Sequence, residues 1–493
     1  MSPARLDWSD EEIRRACEAF SETLRDYLAG LPERPVFPVL DRGALERIAR
    51  EEPPESGTGF AEVLSRFREA VVPNATAIPS PRFLGYINCT PTVTAILAES
   101  LAAMLNQNCT IWKLSPSANA VELAVLGWFK RLFGFGEEAH GILTSGGSVA
   151  NLVGLAAARQ RHLPVDAREE GLQAAPVSSA PLTVYASDET HNSIDKALVL
   201  LGIGGRHLRK VPADATFRID LKALEARVEA DRVAGFTPFC VVGNAGTIAT
   251  AAIDPLDALA DFCARHDMWL HVDGAFGAFG ALVEEIRRQM TGVERADSFS
   301  LDPHKLLFVP MEAGGVLVRD RALLRRTFSF IPSYYTVIDD PLLCDFTEYG
   351  PQLSRSFRAL KVWMSLLVHG LETYRGLIAR TIGLAHHAEA AVGDTPELEM
   401  AAPVSMMVAC FRYVGGAGSP LRADPALADR CNERLLDTLV DSGRAFISRA
   451  RLKGRFALRI CVVNYRTTRQ DVEDVLAEVV RIGRRLENGP ESA

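Results

Sequence analysis

Near the start of the chain, apolar residues recur at helical spacing, at Ile13, Ala16, Phe20, Leu24 and Leu28. Positions three and four apart share one face of a helix. The pattern predicts helix over most of residues 10–70, broken at Gly30-Leu31-Pro32 and Pro35-Val36-Phe37-Pro38, where proline removes a backbone donor. A segment of this kind carries little core of its own and is expected to pack on the main body or on a partner chain. From about 119 to 320 two periodicities alternate. Helical Val121–Phe133, Asn151–Arg161, Ser193–Leu201 and Pro255–His266 are interleaved with strand-like Gly141–Thr144, Leu182–Ala186, Phe239–Val242, Met268–Val272, Ser298–Leu301 and Gly315–Val318. Alternation at this density predicts an α/β fold with a mostly parallel sheet covered on both faces.

Residues 160–181 read as an exposed excursion. Residues 328–350, with Pro332, Pro341 and Gly350 among unpatterned aromatics, read as a long mobile loop. Beyond a helix at about 352–393 the pattern changes. Strands Ser405–Val414 and Phe456–Val463, with helices at about 424–442 and 469–487, predict a small α+β domain. The expected units are a helical segment 1–80, a large domain 81–360 and a C-terminal domain 361–493.

Composition narrows the function classes. Apolar residues at 48% and a formal charge of −8 suit a soluble globular protein, with no basic stripe for nucleic acid. No apolar run reaches the ~18 residues that span a bilayer, and Met1–Asp10 carries no signal core. The nine cysteines contain no Cys-x-x-Cys pair, so no metal site or disulfide framework is expected, and a reducing cytoplasm is.

Candidate chemistry collects at the ends of predicted strands, the edge where open α/β sheets bind ligands. Lys305 lies in Ser300-Leu301-Asp302-Pro303-His304-Lys305, thirty-two residues after Asp273, which ends Leu270-His271-Val272-Asp273. Pyridoxal phosphate needs such a pair: a lysine to hold its aldehyde and a carboxylate to keep its ring nitrogen protonated. Ser145-Gly146-Gly147 sits between a strand and a helix, as an anion cradle would or as an ordinary glycine turn. His191 follows a strand, where an imidazole stacks on a flat ring or serves structure alone. Thr247 either bonds a ring substituent or caps a turn. Ala275 belongs to a run of small residues that lets a planar group approach. Ser300 and His304 flank the lysine, within reach of a phosphate, although packing alone also explains His304.

Taken together, Thr144–Ser148, His191, Gly246-Thr247, His271–Ala275, Asp302–Lys305 and Ser354–Lys361 resemble the motifs of the group II pyridoxal-dependent amino acid decarboxylases. The likeness runs from about Pro81 to Gly370 and more weakly to the C-terminus. It implies the fold type I, aspartate aminotransferase-like architecture, pyridoxal 5'-phosphate as cofactor, and a homodimer with shared active sites whose N-terminal segment packs on the partner. Lys305 is then the Schiff-base lysine, Asp273 the partner of the ring nitrogen and His191 the stacking group. Ala275 packs the other face and Thr247 lies by the substituents, while Ser145, Gly146, Gly147, Ser300 and His304 surround the phosphate. Tyr334, with Tyr335 beside it, takes the place of a loop tyrosine that returns a proton after carbon dioxide leaves.

The implied reaction is decarboxylation of an L-amino acid to its amine. Oxidative decarboxylation-deamination to an aldehyde, other fold type I chemistry and a non-catalytic paralogue are the alternatives. Leu306, Gly274 and Phe276 depart from the tryptophan, alanine and tyrosine usual in the family. The segments holding Tyr86, Asn88, Thr110 and Trp112 correspond to the substrate pocket. Ile87, Asn88 and Thr110 make that pocket more polar than an aromatic one, leaving aromatic, acidic and small polar amino acids open.

Overall fold

The computed structural model describes residues 6–163, 166, 168–172, 180–330 and 343–487. Tyr334 and Tyr335, and with them much of the 328–350 stretch, lie outside the described residues.

The interleaved apolar runs become seven strands: β1 His140–Thr144, β2 Leu182–Ser187, β3 Leu208–Val211, β4 Thr237–Asn244, β5 Trp269–Gly274, β6 Ser298–Leu301 and β7 Gly314–Val318. They form one sheet in the order β1-β7-β6-β5-β4-β2-β3. Pairing is parallel from β3 through β2, β4 and β5 to β6, and β7 runs antiparallel to both of its neighbours. Every residue of β1, β5, β6 and β7 is buried, which is why these strands read as unbroken apolar runs rather than alternating ones.

The helix Gly147–His162 lies across this sheet. Its buried face includes Ala150, Gly154, Ala157 and Ala158, and such small side chains let a helix approach strands closely. The helix Ala359–Gly393 starts seven residues later than the sequence pattern suggests and is interrupted at Gly370, which takes φ 70°. It leads to a second, antiparallel sheet, with β8 Leu398–Met400, β9 Val408–Tyr413, β10 Ser448–Leu452 and β11 Arg455–Cys461 in the order β10-β11-β9-β8. Helices Pro425–Asp441 and Arg469–Glu487 accompany it.

The N-terminal helix Asp10–Ala29 opens with a capping box between Ser9 and Glu12 and buries none of its residues. Leu6, Trp8, Ile13, Phe20, Phe60, Val63, Phe67 and Val71 are all exposed.

Candidate active site

Parallel pairing brings successive strand ends side by side. Asn244 on β4 pairs with Asp273 on β5, and Asp273 pairs with Ser300 on β6. Beside them opens a cavity of about 400 Å³ lined by, among others, Ser145, Gly146, Gly147, His191, Asp273, Ala275, His304 and Lys305. A volume in this range holds a cofactor-sized ligand.

Asp273 is fixed from three directions. Oδ1 accepts from the Ala275 N–H (3.0 Å) and the Ser300 hydroxyl (3.1 Å), and Oδ2 accepts from Asn151 Nδ2 (2.8 Å). Three donors and no acceptor suit an ionised carboxylate. Lys305 comes from the short helix that follows β6, and its Nζ lies 3.0 Å from Asp302 Oδ2. His304 Nε2 lies 3.6 Å from the same oxygen, and its Nδ1 meets the Ala313 carbonyl at 2.7 Å. Burial holds His304 below the usual imidazole range, partly countered by Asp302.

The turn Ser145-Gly146-Gly147 opens the Gly147–His162 helix, whose first N–H groups have no acceptor within the helix. Gly147 is required by contact: a Cβ there would stand 2.6 Å from Ala275 Cβ and 3.1 Å from Asp302 Oδ2. Half-buried His191 meets the Ser193 hydroxyl through Nδ1 at 2.8 Å, and burial lowers its pKa against the pull of Asp273. An amine, a carboxylate held by three donors, an imidazole and the start of a helix around one cavity fit pyridoxal phosphate.

Other sequence-derived candidates lie elsewhere. The Thr247 hydroxyl is buried in its own turn, accepting from the Ala252 N–H at 3.0 Å and meeting Thr250 Oγ1 at 3.1 Å. The Ser300 hydroxyl is spent on Asp273. Tyr86, Asn88, Thr110 and Trp112 do not line this cavity, although their neighbour Ile87 does. Tyr86 is exposed and packs on Phe446. Thr110 bonds Asn108 and the Leu353 carbonyl, and the Trp112 N–H donates to Asp345. Burial pushes the Cys89 thiol up to about 12 and Cys109 to about 11, which leaves both chemically quiet.

Sequence reasoning passed over Asn151, Ser193 and Asp302 as site residues. Asn151 sits one turn beyond Gly147 on the same helix, and that spacing is the one signal that points to it.

Residues 43–414 match the family model of the pyridoxal-dependent decarboxylase conserved domain. An aromatic-L-amino-acid decarboxylase of Bacillus atrophaeus is 34% identical, covering 96% of each chain. A phenylacetaldehyde synthase of Arabidopsis thaliana is 30% identical, covering 92% of each. Among solved structures, Oryza sativa TDC with PLP and tryptamine superposes with a TM-score of 0.91 at 28% identity, over 98% of this chain and 100% of that one.

Proposed function

The chain belongs to the pyridoxal-dependent decarboxylase family, and on that premise we propose that its substrate is an aromatic L-amino acid. The chain is a pyridoxal phosphate-dependent carboxy-lyase of fold type I. The observation that carries the reading is the lining of one cavity by both Lys305 and Asp273. An aromatic substrate is supported by the names of the relatives and by Ile87, Ile248, Phe276 and Met311 on the cavity wall.

When bound, pyridoxal phosphate supplies the sink for the electron pair left on Cα as carbon dioxide departs. Lys305 offers the amine that holds the cofactor's aldehyde carbon, and Asp302 steadies that amine whenever it is free. Asp273 would set a negative charge beside the cofactor's ring nitrogen and favour a proton on it. Its three hydrogen bonds hold that charge in place, so little reorganisation accompanies the reaction. Ser145, Gly146, Gly147 and His304 would hold the phosphate, the first three at the electropositive start of a helix. His191 and Ala275 would pack against the cofactor ring. Thr247 and Ser300 act from behind, one shaping its turn and the other holding Asp273. Tyr334 returns the proton to Cα, a role that rests on the resemblance alone.

The working unit is a homodimer with shared sites. The unburied apolar residues of the N-terminal segment support this, as do Ile248 and Met311, exposed at the cavity. In this reading Tyr86, Asn88, Thr110 and Trp112 contribute to the partner's site. We keep the division into units 1–80, 81–360 and 361–493. The nine unpaired cysteines favour the cytoplasm. Among the described residues, no helix is long and apolar enough to cross a membrane.

The test is to incubate the loaded protein with a panel of amino acids and follow amine, aldehyde and carbon dioxide by mass spectrometry. Amine matched by carbon dioxide from an aromatic amino acid is the expected result. Turnover confined to acidic or small polar amino acids overturns the substrate class, and aldehyde with ammonia overturns the non-oxidative outcome. Tyr334→Phe is expected to retain cofactor and lose amine formation.

A further inference from the structure

Beneath the cavity floor runs a chain of buried polar groups. The Trp269 indole N–H donates to Ser298 Oγ (2.8 Å), which meets His271 Nδ1 (2.8 Å). His271 Nε2 meets Asn151 Oδ1 (3.0 Å), and Asn151 Nδ2 donates both to Asp273 Oδ2 (2.8 Å) and to Ser193 Oγ (3.0 Å). Ser193 Oγ meets His191 Nδ1 (2.8 Å), to which the Ser193 backbone N–H also donates (3.2 Å). Trp269, Ser298, His271, Asn151, Asp273 and Ser193 are all buried. Gly154, one turn beyond Asn151, keeps this space open, since a Cβ there would stand 2.7 Å from His271 Nδ1 and 3.0 Å from Ser298 Oγ.

We propose that Asn151 is a positioning residue that fixes the tautomer of His191, by ordering this chain so that every hydrogen bond runs one way. The inference rests on the reading of His191 as a cavity group of the decarboxylase. An indole nitrogen only donates, and among the described residues His271 Nδ1 is the one acceptor bonded to Ser298 Oγ, so the hydroxyl proton is satisfied by pointing there. His271 then carries its proton on Nε2 and donates to Asn151 Oδ1. From the other side, the Asp273 carboxylate only accepts and demands the amide NH₂ of Asn151. Both ends therefore select the same amide orientation, a choice that the positions of heavy atoms alone leave open.

The second amide proton goes to Ser193 Oγ, whose own proton then finds its acceptor at His191 Nδ1, in step with the Ser193 backbone N–H that also donates there. His191 is left with its proton on Nε2, which has no hydrogen-bond partner among the described residues. Burial keeps both imidazoles neutral near pH 7, with His271 held down to about 4 and His191 lowered. A choice of tautomer is therefore what remains to be made. One amide thus serves two ends of the site, presenting a donor to the carboxylate and, through Ser193, an N–H from His191 to the substrate side.

The test reads tautomers directly, in full-length cofactor-loaded protein labelled with ¹⁵N-histidine, by long-range proton–nitrogen correlation. His191→Gln and His271→Gln variants identify the two signals. Both imidazoles are expected to show Nδ1 in the unprotonated range and Nε2 in the protonated range. Ser193→Ala removes the shorter of the two donors to Nδ1 and should shift His191 alone part of the way toward an averaged signature. The backbone N–H of Ser193 holds the remainder, and Ser193→Thr should restore the full signature. Asn151→Ala should move His191, through the freed Ser193 hydroxyl, and leave the His271 tautomer to Trp269 and Ser298. Trp269→Phe should leave both tautomers in place, because Asp273 still orients the amide and Asn151 Oδ1 still accepts from His271 Nε2.

With Ser193→Ala, kcat is expected to fall about tenfold while KM stays within about twofold. Should Asn151→Ala fail to fold, Ser193→Ala and its threonine rescue carry the test. A proton on His191 Nδ1 in the unaltered protein overturns the proposal, as does a His191 signature unmoved by Ser193→Ala. No turnover enters the nitrogen measurement. A protein with the expected tautomers that makes no amine would therefore sink the functional reading and leave this chain standing.

Discussion

Two buried carboxylates serve one cavity and are held in opposite ways. Asp273, at the end of β5, has both oxygens engaged by donors that come from the protein's own frame. Asp302, just past β6, leans through Oδ2 on the Lys305 ammonium, and its Oδ1 has no partner among the described residues. The first arrangement does not depend on what Lys305 is doing. The second does, because its main partner is the group that commits itself to the cofactor. Permanent charge is built into the frame, whereas a charge that must change partners is left loosely held.

The largest expected effect comes from taking away the movable partner. Lys305→Ala should reduce amine output below detection, and the cofactor should wash out after borohydride treatment. Cofactor still retained covalently would mean that another lysine serves the site. Asp273→Asn keeps the shape but turns one of the two acceptor oxygens into a donor that must face a donor. Its kcat should drop by about 10²–10³-fold, with weaker cofactor binding by titration. A loss no larger than that of Asp302→Asn would erase the contrast between the two carboxylates.

Stability against pH probes the frame beneath Asp273. Burial lowers His271 from 6.5 to about 4 in the folded protein, so the unfolded chain takes up the proton first. Stability from this group is complete above pH 6.5 and is lost as pH falls toward about 4. Denaturant titrations of His271→Gln should show a shallower acid-side decline than the parent, and an unchanged slope would place the linkage elsewhere. Asp302→Asn should lower kcat about tenfold with little change in melting temperature, because the amide still fills the same space. Ser300→Ala removes one of three donors to Asp273 and should cost about 1 kcal/mol of stability, with only a several-fold fall in kcat. A larger loss from Ser300→Ala than from Asp302→Asn would reverse the ranking.

The parallel sheet and its active edge were legible because strands buried on both faces are written as plain apolar runs, and because Asp273, His191 and Lys305 each follow such a run. β3 and the helix Leu221–Val233 were not read. An edge strand of four residues that contains Arg209 and Lys210 gives no apolar run to detect. The hydroxyls of Thr247 and Ser300 show another limit. Sequence places them beside the site, but side-chain direction depends on turn geometry and on the pleat. On β6 the pleat points Ser298 and Ser300 the same way, toward His271 and Asp273. Asn151 was hidden for a related reason, since one polar residue on the inward face of a helix carries no mark of its role until its partners are seen.

The cysteines give the molecule a practical property. Seven are buried and Cys431 is half-buried, while Cys17 alone stands exposed, on the Asp10–Ala29 helix. A maleimide dye added briefly to the native protein should therefore attach at a single address, without any engineered residue. That address lies on the helix that leaves Ile13 and Phe20 exposed within its own chain, so the labelling rate becomes a gauge of whether something else has covered it.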